Sequence, residues 1–542
     1  MKSITVALLA ALVVNVNFHV LLGVFALDDE SRIESILASM TLQQKINQMA
    51  QIDISLILKD NAIDEQKIEY YFGQLEIGSL LITPVEQKYL NASFYRSVML
   101  AVQNQASVPV IAGIDSVHGA NYIREAILFP QPINMASTWN STYAKIAGSI
   151  TARDTQSAGI NWLFSPIVGL GIQPFWSRMY ETFGEDPHLV GEFAANMVEG
   201  IQENKKSAAC AKHFVGYSAP RNGHDRSPSW IPVRHLYQYF VRPWRKVIEK
   251  DKGGPLTVME SYTEYDGVPN VANRNSLQTL LRQDLGFAGV VVTDYAEIEN
   301  LIGFHKVAAD INEAVRLTLM ESSVDMSMIS FNTAGWMEGV MASASDSDDA
   351  SMRHAIEKRI DRSVLRILRL KEQLSMFDMA AIAEYSDIIQ LGSTEDRQAA
   401  LNMARDSIVL TKNDEEVLPI LSPSNGNNVK VHVTGPTANS LRYQTGGWTI
   451  EWQGPPNDDL FQYGHTVLNA AESTNQWDVT SSCGVNIMGD PCDDVDDSIV
   501  SNQRAEADYI IVCVGEENYT GTCVYMGPIP IASSSESEIR QQ

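Results

Sequence analysis

Residues 286–295 read GFAGVVVTDY. Val290, Val291 and Val292 form a short run that is apolar on both faces, the pattern of a parallel strand inside an α/β sheet. An aspartate, Asp294, ends it. Such an aspartate either caps the next helix, a position Asp favours, or stands at the C-terminal rim of a barrel or open sheet, where these folds place their chemistry. The stretch alone leaves both open.

Working outward, similar runs recur between residues 74 and 330: EIGSLLIT at 76–83, VPVIAGID at 108–115, INWLFSP at 160–166 and SAACAKHF at 207–214, followed by PLTVMES at 255–261, GVVVTD at 289–294 and SVDMSMIS at 323–330. Strands spaced this way, with helix-like stretches between them, predict repeated βα units around a parallel sheet. Ala314, Val315 and Leu319 share one helical face, and Ile356, Ile360, Val364, Ile367 and Leu368 share another in a longer amphipathic helix. A (β/α)8-like barrel over residues 27–375 is the economical reading, with a doubly wound sheet as the alternative. Several strands end in polar residues, at Asp115, at Lys212 with His213, at Glu260 and at Asp294, which points to a site at the strand C-termini. A linker at 376–400 then leads to a restart of the pattern: a helix around 397–407 and strands at 429–436 and 507–519. This reads as a smaller α/β sandwich domain over 401–520, of which only the first part is present, followed by a polar, disordered tail at 521–542.

Composition narrows the partners. The 542 residues, 45% hydrophobic and 20% charged, are those of a globular protein of more than one domain. A net charge of −26 argues against nucleic acid, which needs a basic face. Lys2 and an apolar run from Ile4 to Ala26 read as a secretory signal over residues 1–26. A membrane anchor is the competing reading, weakened by Asn15, Asn17 and His19; no later segment is long and apolar enough to span. Sequons at Asn91, Asn140 and Asn518 suit a secretory route. Cys210, Cys483, Cys492, Cys513 and Cys523 have no metal spacing, and Cys483 and Cys492 are near enough to close a small disulfide loop.

The segment LLRQDLGFAGVVVTDYAEI at 280–298 resembles the signature of glycoside hydrolase family 3, of the β-glucosidase and β-glucan exohydrolase type. GIDSVHG at 113–119, WSRMYETFGEDP at 176–187, AKHFVGY at 211–217, VMESYTEYDGV at 258–268 and GGWTIEWQG at 446–454 extend the resemblance from about residue 30 to Thr520. It implies a secreted or lysosomal enzyme acting on a β-glucan or β-glucoside, with no cofactor and no metal. Asp294 is then the expected nucleophile. Asp115, Arg178, Lys212 and His213 would line the glucosyl subsite, with Met259 and Tyr262 beside the nucleophile. Trp448 and Trp452, on a loop marked by Gly446-Gly447 and Gly454-Pro455, would wall the next sugar.

The chemistry fits these residue types. A retaining glycosidase needs one carboxylate to attack the anomeric carbon and a second carboxyl group to protonate the leaving oxygen. The nucleophile must stay ionised, so Lys212, His213 and Arg178 are expected to hold its pKa low. Each has a plainer reading: Arg178 paired with Glu181 or Asp186 on the surface, and Lys212-His213 as a solvated strand end. The resemblance breaks at Gly521, which stands where the family carries its acid/base glutamate. Family members acting on N-acetylglucosamine use a His-Asp pair after the KHF strand, and His224-Asp225 lies in the matching region. Three readings follow: an exo-acting β-glucosidase, a sugar-binding remnant without acid/base, and a β-xylosidase or β-N-acetylglucosaminidase.

Overall fold

A strand as short as three valines is stable only when neighbours satisfy its backbone on both edges. The computed structural model, which describes residues 29–84, 91–249, 253–345, 350–378, 391–421, 426–492 and 497–521, supplies those neighbours in a ring. Eight strands alternate with helices: β1 (Ala50–Asp53), β2 (Ser79–Ile82), β3 (Ile111–Ile114), β4 (Trp162–Leu163), β5 (Ala208–Phe214), β6 (Thr257–Glu260), β7 (Val290–Val292) and β8 (Ser327–Ser330). All pair in parallel, in the order β7-β6-β5-β4-β3-β2-β1-β8. A parallel bridge between Val292 and Met326 joins the two ends, so the sheet is a nearly closed barrel and not the doubly wound alternative. The valines of β7 are fully buried. The proposed signal segment, residues 379–390 of the expected linker and everything after Gly521 lie outside the described residues.

The sequence reading misses β1. Its residues, Ala-Gln-Ile-Asp, do not look apolar, yet all four are buried. Gln51 is tolerated there because its side chain donates to Ser79 Oγ at 2.8 Å, while Ser79 donates to the carbonyl of Ile111. The other expected runs all contain strands, and the helices expected from periodicity form: Ile311–Glu321 buries Ala314, Val315 and Leu319, and Ala350–Gln373 buries Ile356, Ile360, Val364, Ile367 and Leu368.

A second parallel sheet follows, ordered β10-β9-β11, from β9 (Val429–Thr434), β10 (Trp477–Ser482) and β11 (Tyr509–Val512). Its small core gathers Val429, Val431, Val433, Ala438 and Ala471. Strand β10 also escapes the sequence reading: WDVTSS is a half-buried edge strand with few apolar residues. Cys483 and Cys492 form the disulfide that their spacing allows. This second unit docks its 445–454 loop on the barrel rim. Gln131 Nε2 donates to the carbonyls of Thr445 and Gly447, each at 2.9 Å, and the Ile450 amide donates to Asn121 O at 3.1 Å. Tyr180 OH donates to the Tyr519 carbonyl at 2.8 Å. No helix of the described residues is long and apolar enough to cross a membrane.

Candidate active site

The helix that follows β7, Glu297–Gly303, takes Ala296 as its N-cap and has no side-chain cap. Asp294 therefore does not cap it. Its Oδ1 accepts the Tyr295 amide at 2.8 Å, and its Oδ2 is buried with no hydrogen-bond partner among the described residues. Asp294 lines a pocket of about 540 Å³ at the C-terminal ends of the strands. All nine residues expected at the site, Asp115, Arg178, Lys212, His213, Met259, Tyr262, Asp294, Trp448 and Trp452, line this pocket.

The plainer readings of the cations do not hold. Lys212 is 1% exposed and donates from Nζ to Asp115 Oδ1 at 2.6 Å. Arg178 does pair with Glu181, through two bonds of 2.8 and 2.9 Å, but the pair is buried and not on the surface. The fork leaves Arg178 Nη2 3.4 Å from His213 Nε2, which in turn is 3.4 Å from Asp294 Oδ2. Trp448 closes the group: Lys212 Nζ lies 5.4 Å and the Arg178 guanidinium carbon 5.9 Å from its ring centre. Trp452 stands 6.5 Å away, centre to centre, and is 41% exposed.

Electrostatics correct one expectation. Burial drives His213 well below the ordinary histidine range, and Arg178, Lys212 and Arg226 push the same way. A neutral imidazole gives Asp294 no ion pair. Burial also raises the Asp294 carboxyl; Arg178, Lys212, the Tyr295 amide and Arg226 oppose it without reversing it. The desolvation of this enclosed carboxylate outweighs the cations expected to hold its pKa low.

Several pocket residues escape the sequence reading. Tyr122 packs on Trp448, centres 6.3 Å apart. Arg226, whose φ is +62°, lays its guanidinium 3.8 Å above the Tyr262 ring and borders the pocket. Its left-handed backbone in a loop carries no periodic signal. The His224-Asp225 pair divides: His224 is exposed, whereas Asp225 lines the pocket, its Oδ1 held by Trp176 Nε1 at 2.9 Å and Tyr217 OH at 2.7 Å. Gly521 also borders the pocket, where a β-carbon would stand 3.5 Å from Asp225 Oδ2 and from Trp452. Among the described residues no three His, Cys, Asp or Glu side chains are grouped to hold a metal ion.

Comparison with known proteins places this arrangement. The chain is 34% identical over 514 residues to the lysosomal beta glucosidase of Dictyostelium discoideum, covering 89% of this chain and 61% of that protein. It is 28% identical to a beta-xylosidase of Formosa agariphila, covering 69% of this chain and 53% of the relative. It is 26% identical to the periplasmic beta-glucosidase of Salmonella typhimurium, covering 79% and 54%. The chain thus spans between about half and three-fifths of the length of these relatives. Among solved structures, a mutant of the exo-1,3/1,4-beta-glucanase of Pseudoalteromonas sp. superposes with a TM-score of 0.75 at 27% identity, covering 91% of this chain and 76% of that one. The beta-glucosidase of Listeria innocua in complex with glucose shares the fold, with a TM-score of 0.75 at 23% identity over 90% of this chain and 64% of its own. The profile of the "Glycosyl hydrolase family 3 N terminal domain" matches residues 41–370, more than half of the sequence and all eight barrel strands: the chain belongs to glycosyl hydrolase family 3.

Proposed function

We propose that the protein is a retaining, exo-acting β-glucosidase that removes terminal β-D-glucosyl residues from glucans or glucosides through a glycosyl-enzyme on Asp294. The observation that carries this reading is Asp294, whose buried Oδ2 has no hydrogen-bond partner among the described residues and which lines a pocket walled by buried hydrogen-bonding side chains. In the first step Oδ2 attacks the anomeric carbon as the bond to the leaving oxygen breaks, and that oxygen takes up a proton; in the second, water replaces Asp294. Asp115, Lys212, Arg178 and His213 hold the hydroxyls of the glucosyl ring, and Met259 and Tyr262 pack beside the nucleophile. Trp448 and Trp452 face the next sugar. A substrate hydroxyl donating to Asp294 Oδ2 favours the ionised carboxylate. The β-glucosidase names of the Dictyostelium and Salmonella relatives support this choice of sugar, and their lysosomal and periplasmic descriptions support a secretory route. The boundaries at 27–375 for the catalytic barrel and 401–520 for the second unit belong to the same proposal.

The test is covalent. A 2-deoxy-2-fluoro-glucoside with a good leaving group should label the peptide that contains Asp294, and Asp294→Asn should abolish the label. Label on Glu260 or Glu297 with Asp294 untouched sinks the assignment. A second reading, a sugar-binding remnant, is favoured by Gly521, a residue without a side chain at the pocket wall. It is supported if folded protein binds glucose and never acquires label. The beta-xylosidase relative keeps xylose as a competitor. The N-acetylglucosaminidase reading is disfavoured, because His224 points away from the pocket wall into solvent.

A further inference from the structure

Behind Asp294, on the side away from the pocket, titratable side chains form a row that reaches solvent. Glu260, the last residue of β6, accepts the Asp294 amide through Oε1 at 2.9 Å. Its Oε2 is buried without a partner among the described residues. Glu297 donates its amide to the Asp294 carbonyl at 3.3 Å, so it is tied to the same strand end. Its Oε2 accepts from Asn300 Nδ2 at 2.7 Å, and its Oε1 lies 2.6 Å from His305 Nε2. The other ring nitrogen, His305 Nδ1, lies 3.0 Å from Glu264 Oε1, on the hairpin that follows β6. Glu260 and Glu297 are fully buried, whereas the Glu264 side chain is 23% exposed.

This geometry fixes protonation. An imidazole with an ionised carboxylate at each nitrogen satisfies both only when both nitrogens carry protons; burial raises Glu297 to about 7 against the pull of His305 and Asn300, so above that value the row is an imidazolium between two carboxylates. The charged groups facing it are Glu264 and Glu297. Beyond Glu297 stand Glu260 from β6 and Asp294 from β7, with Arg226 from the loop after β5 bearing on Asp294. Burial, with the carboxyls of Glu297 and Asp294 beside it, pushes Glu260 well above the ordinary carboxyl range and favours its neutral acid.

We propose that the Glu264–His305–Glu297 row positions Asp294 and sets the alkaline limit of its reaction. It rests on the reading of Asp294 as the nucleophile. While His305 holds both protons, Glu297 is anchored and the corner from Asp294 to Glu297 is fixed. When His305 loses one, a ring lone pair faces a carboxylate oxygen, that of Glu297 at 2.6 Å or that of Glu264 at 3.0 Å, and one link of the row becomes repulsive. Burial alone would depress His305, but the two carboxylates outweigh it and raise it above the ordinary histidine value. His305, Glu297 and Glu264 do not line the pocket, so each is a positioning residue.

The experiment follows kcat/KM for a dinitrophenyl β-glucoside through the neutral and alkaline range. That leaving group needs no proton, so a general acid does not shape the alkaline limb. Glu264→Gln keeps an acceptor for Nδ1–H but removes one charge, and the limb should move down by about one pH unit. His305→Gln does not titrate, so the limb at that pH should disappear and kcat should fall more than KM rises. Calorimetric affinity for isofagomine, a cationic sugar mimic that Asp294 would bind as a carboxylate, should show the same limb without turnover. Glu264→Gln profiles that superimpose on wild type, in rate or in affinity, overturn the inference while leaving the nucleophile in place. A folded wild type that neither reacts nor binds overturns the Asp294 reading and this one with it.

Discussion

Asp294 is held between opposing pulls, burial raising its carboxyl and three cations lowering it, and the balance changes when a sugar fills the pocket. The residues around it were legible where each ends a strand or sits in a recognisable motif, as Asp115, Lys212 and His213 do. Arg226 was not, because its place depends on a left-handed loop. His305 was not either: the segment AEIENLIGFH carries no sign that its histidine will meet Glu264, 41 positions earlier. Gly521 leads to a prediction at this scale. The resemblance places a carboxyl group there, and general acid–base assistance contributes about 10²–10⁴-fold. A nitrophenyl glucoside needs little protonation, so Asp294 should still form the glycosyl-enzyme, which should accumulate for lack of a base. The chain should therefore give a burst followed by slow turnover, accelerated by azide, and should be nearly inert on cellobiose. Rapid cellobiose turnover unaffected by azide would show that another group, Asp225 being the carboxylate nearest Gly521, serves as acid/base.

Among the elements, apolar runs were sufficient where a strand buries both faces, as in β7, and insufficient where a polar side chain is buried with a hydrogen bond, as Gln51 Nε2 is in β1. The helix Ala350–Gln373 was legible from its apolar stripe, but not the buried charges it carries. Arg359 and Arg366 converge with Arg282 on Asp325, ahead of β8, with Arg282 Nη2 2.5 Å and Arg366 Nη1 2.9 Å from its carboxylate oxygens. Lys371, fully buried near the end of the same helix, has among the described residues a single 2.7 Å bond, to Gln48 Oε1, and burial pulls it down to about 7. Its unfolded value is about 10.4. Between those two values the unfolded chain binds a proton that the folded chain does not, so stability should rise with pH there, by at most about 1.4 kcal/mol per unit. Below about 7 both states hold the proton and this slope vanishes. Lys371→Met removes the ionisable group, leaving Gln48 Oε1 without its donor, a loss of about 1 kcal/mol. Urea titrations at several pH values should show the alkaline rise in wild type and a flatter profile in Lys371→Met. Parallel profiles would mean that the amine keeps its proton in the fold.

At the scale of the whole molecule, the barrel supplies the floor of the pocket and the second unit supplies an outer wall, Trp448, Trp452 and Gly521. The sequence announced the wall through the glycines that bracket its loop, but not how it is held. Gly447 shows how tightly. A β-carbon there would collide with Thr520 Oγ1, the Tyr519 carbonyl and Tyr180 OH. The hydroxyls can turn aside, but the carbonyl belongs to the backbone that Tyr180 and Gln453 fix against the barrel and the loop, Gln453 accepting the Thr520 amide at 2.8 Å. Gly447→Ala should therefore displace the loop or the 519–521 segment, at a cost of about 1–3 kcal/mol. Trp448 would leave Lys212 and Arg178, and the wall for the second sugar would open. Affinity for a glucose disaccharide should fall by roughly tenfold for each 1.4 kcal/mol transmitted to the site, with a smaller loss for glucose if, as proposed, Asp115, Lys212, Arg178 and His213 of the barrel hold it. Limited proteolysis should find new cuts between 446 and 521, while the helical circular dichroism of the barrel stays as in wild type. Unchanged disaccharide affinity together with an unchanged digest would show that the second unit does not depend on this contact to stay docked.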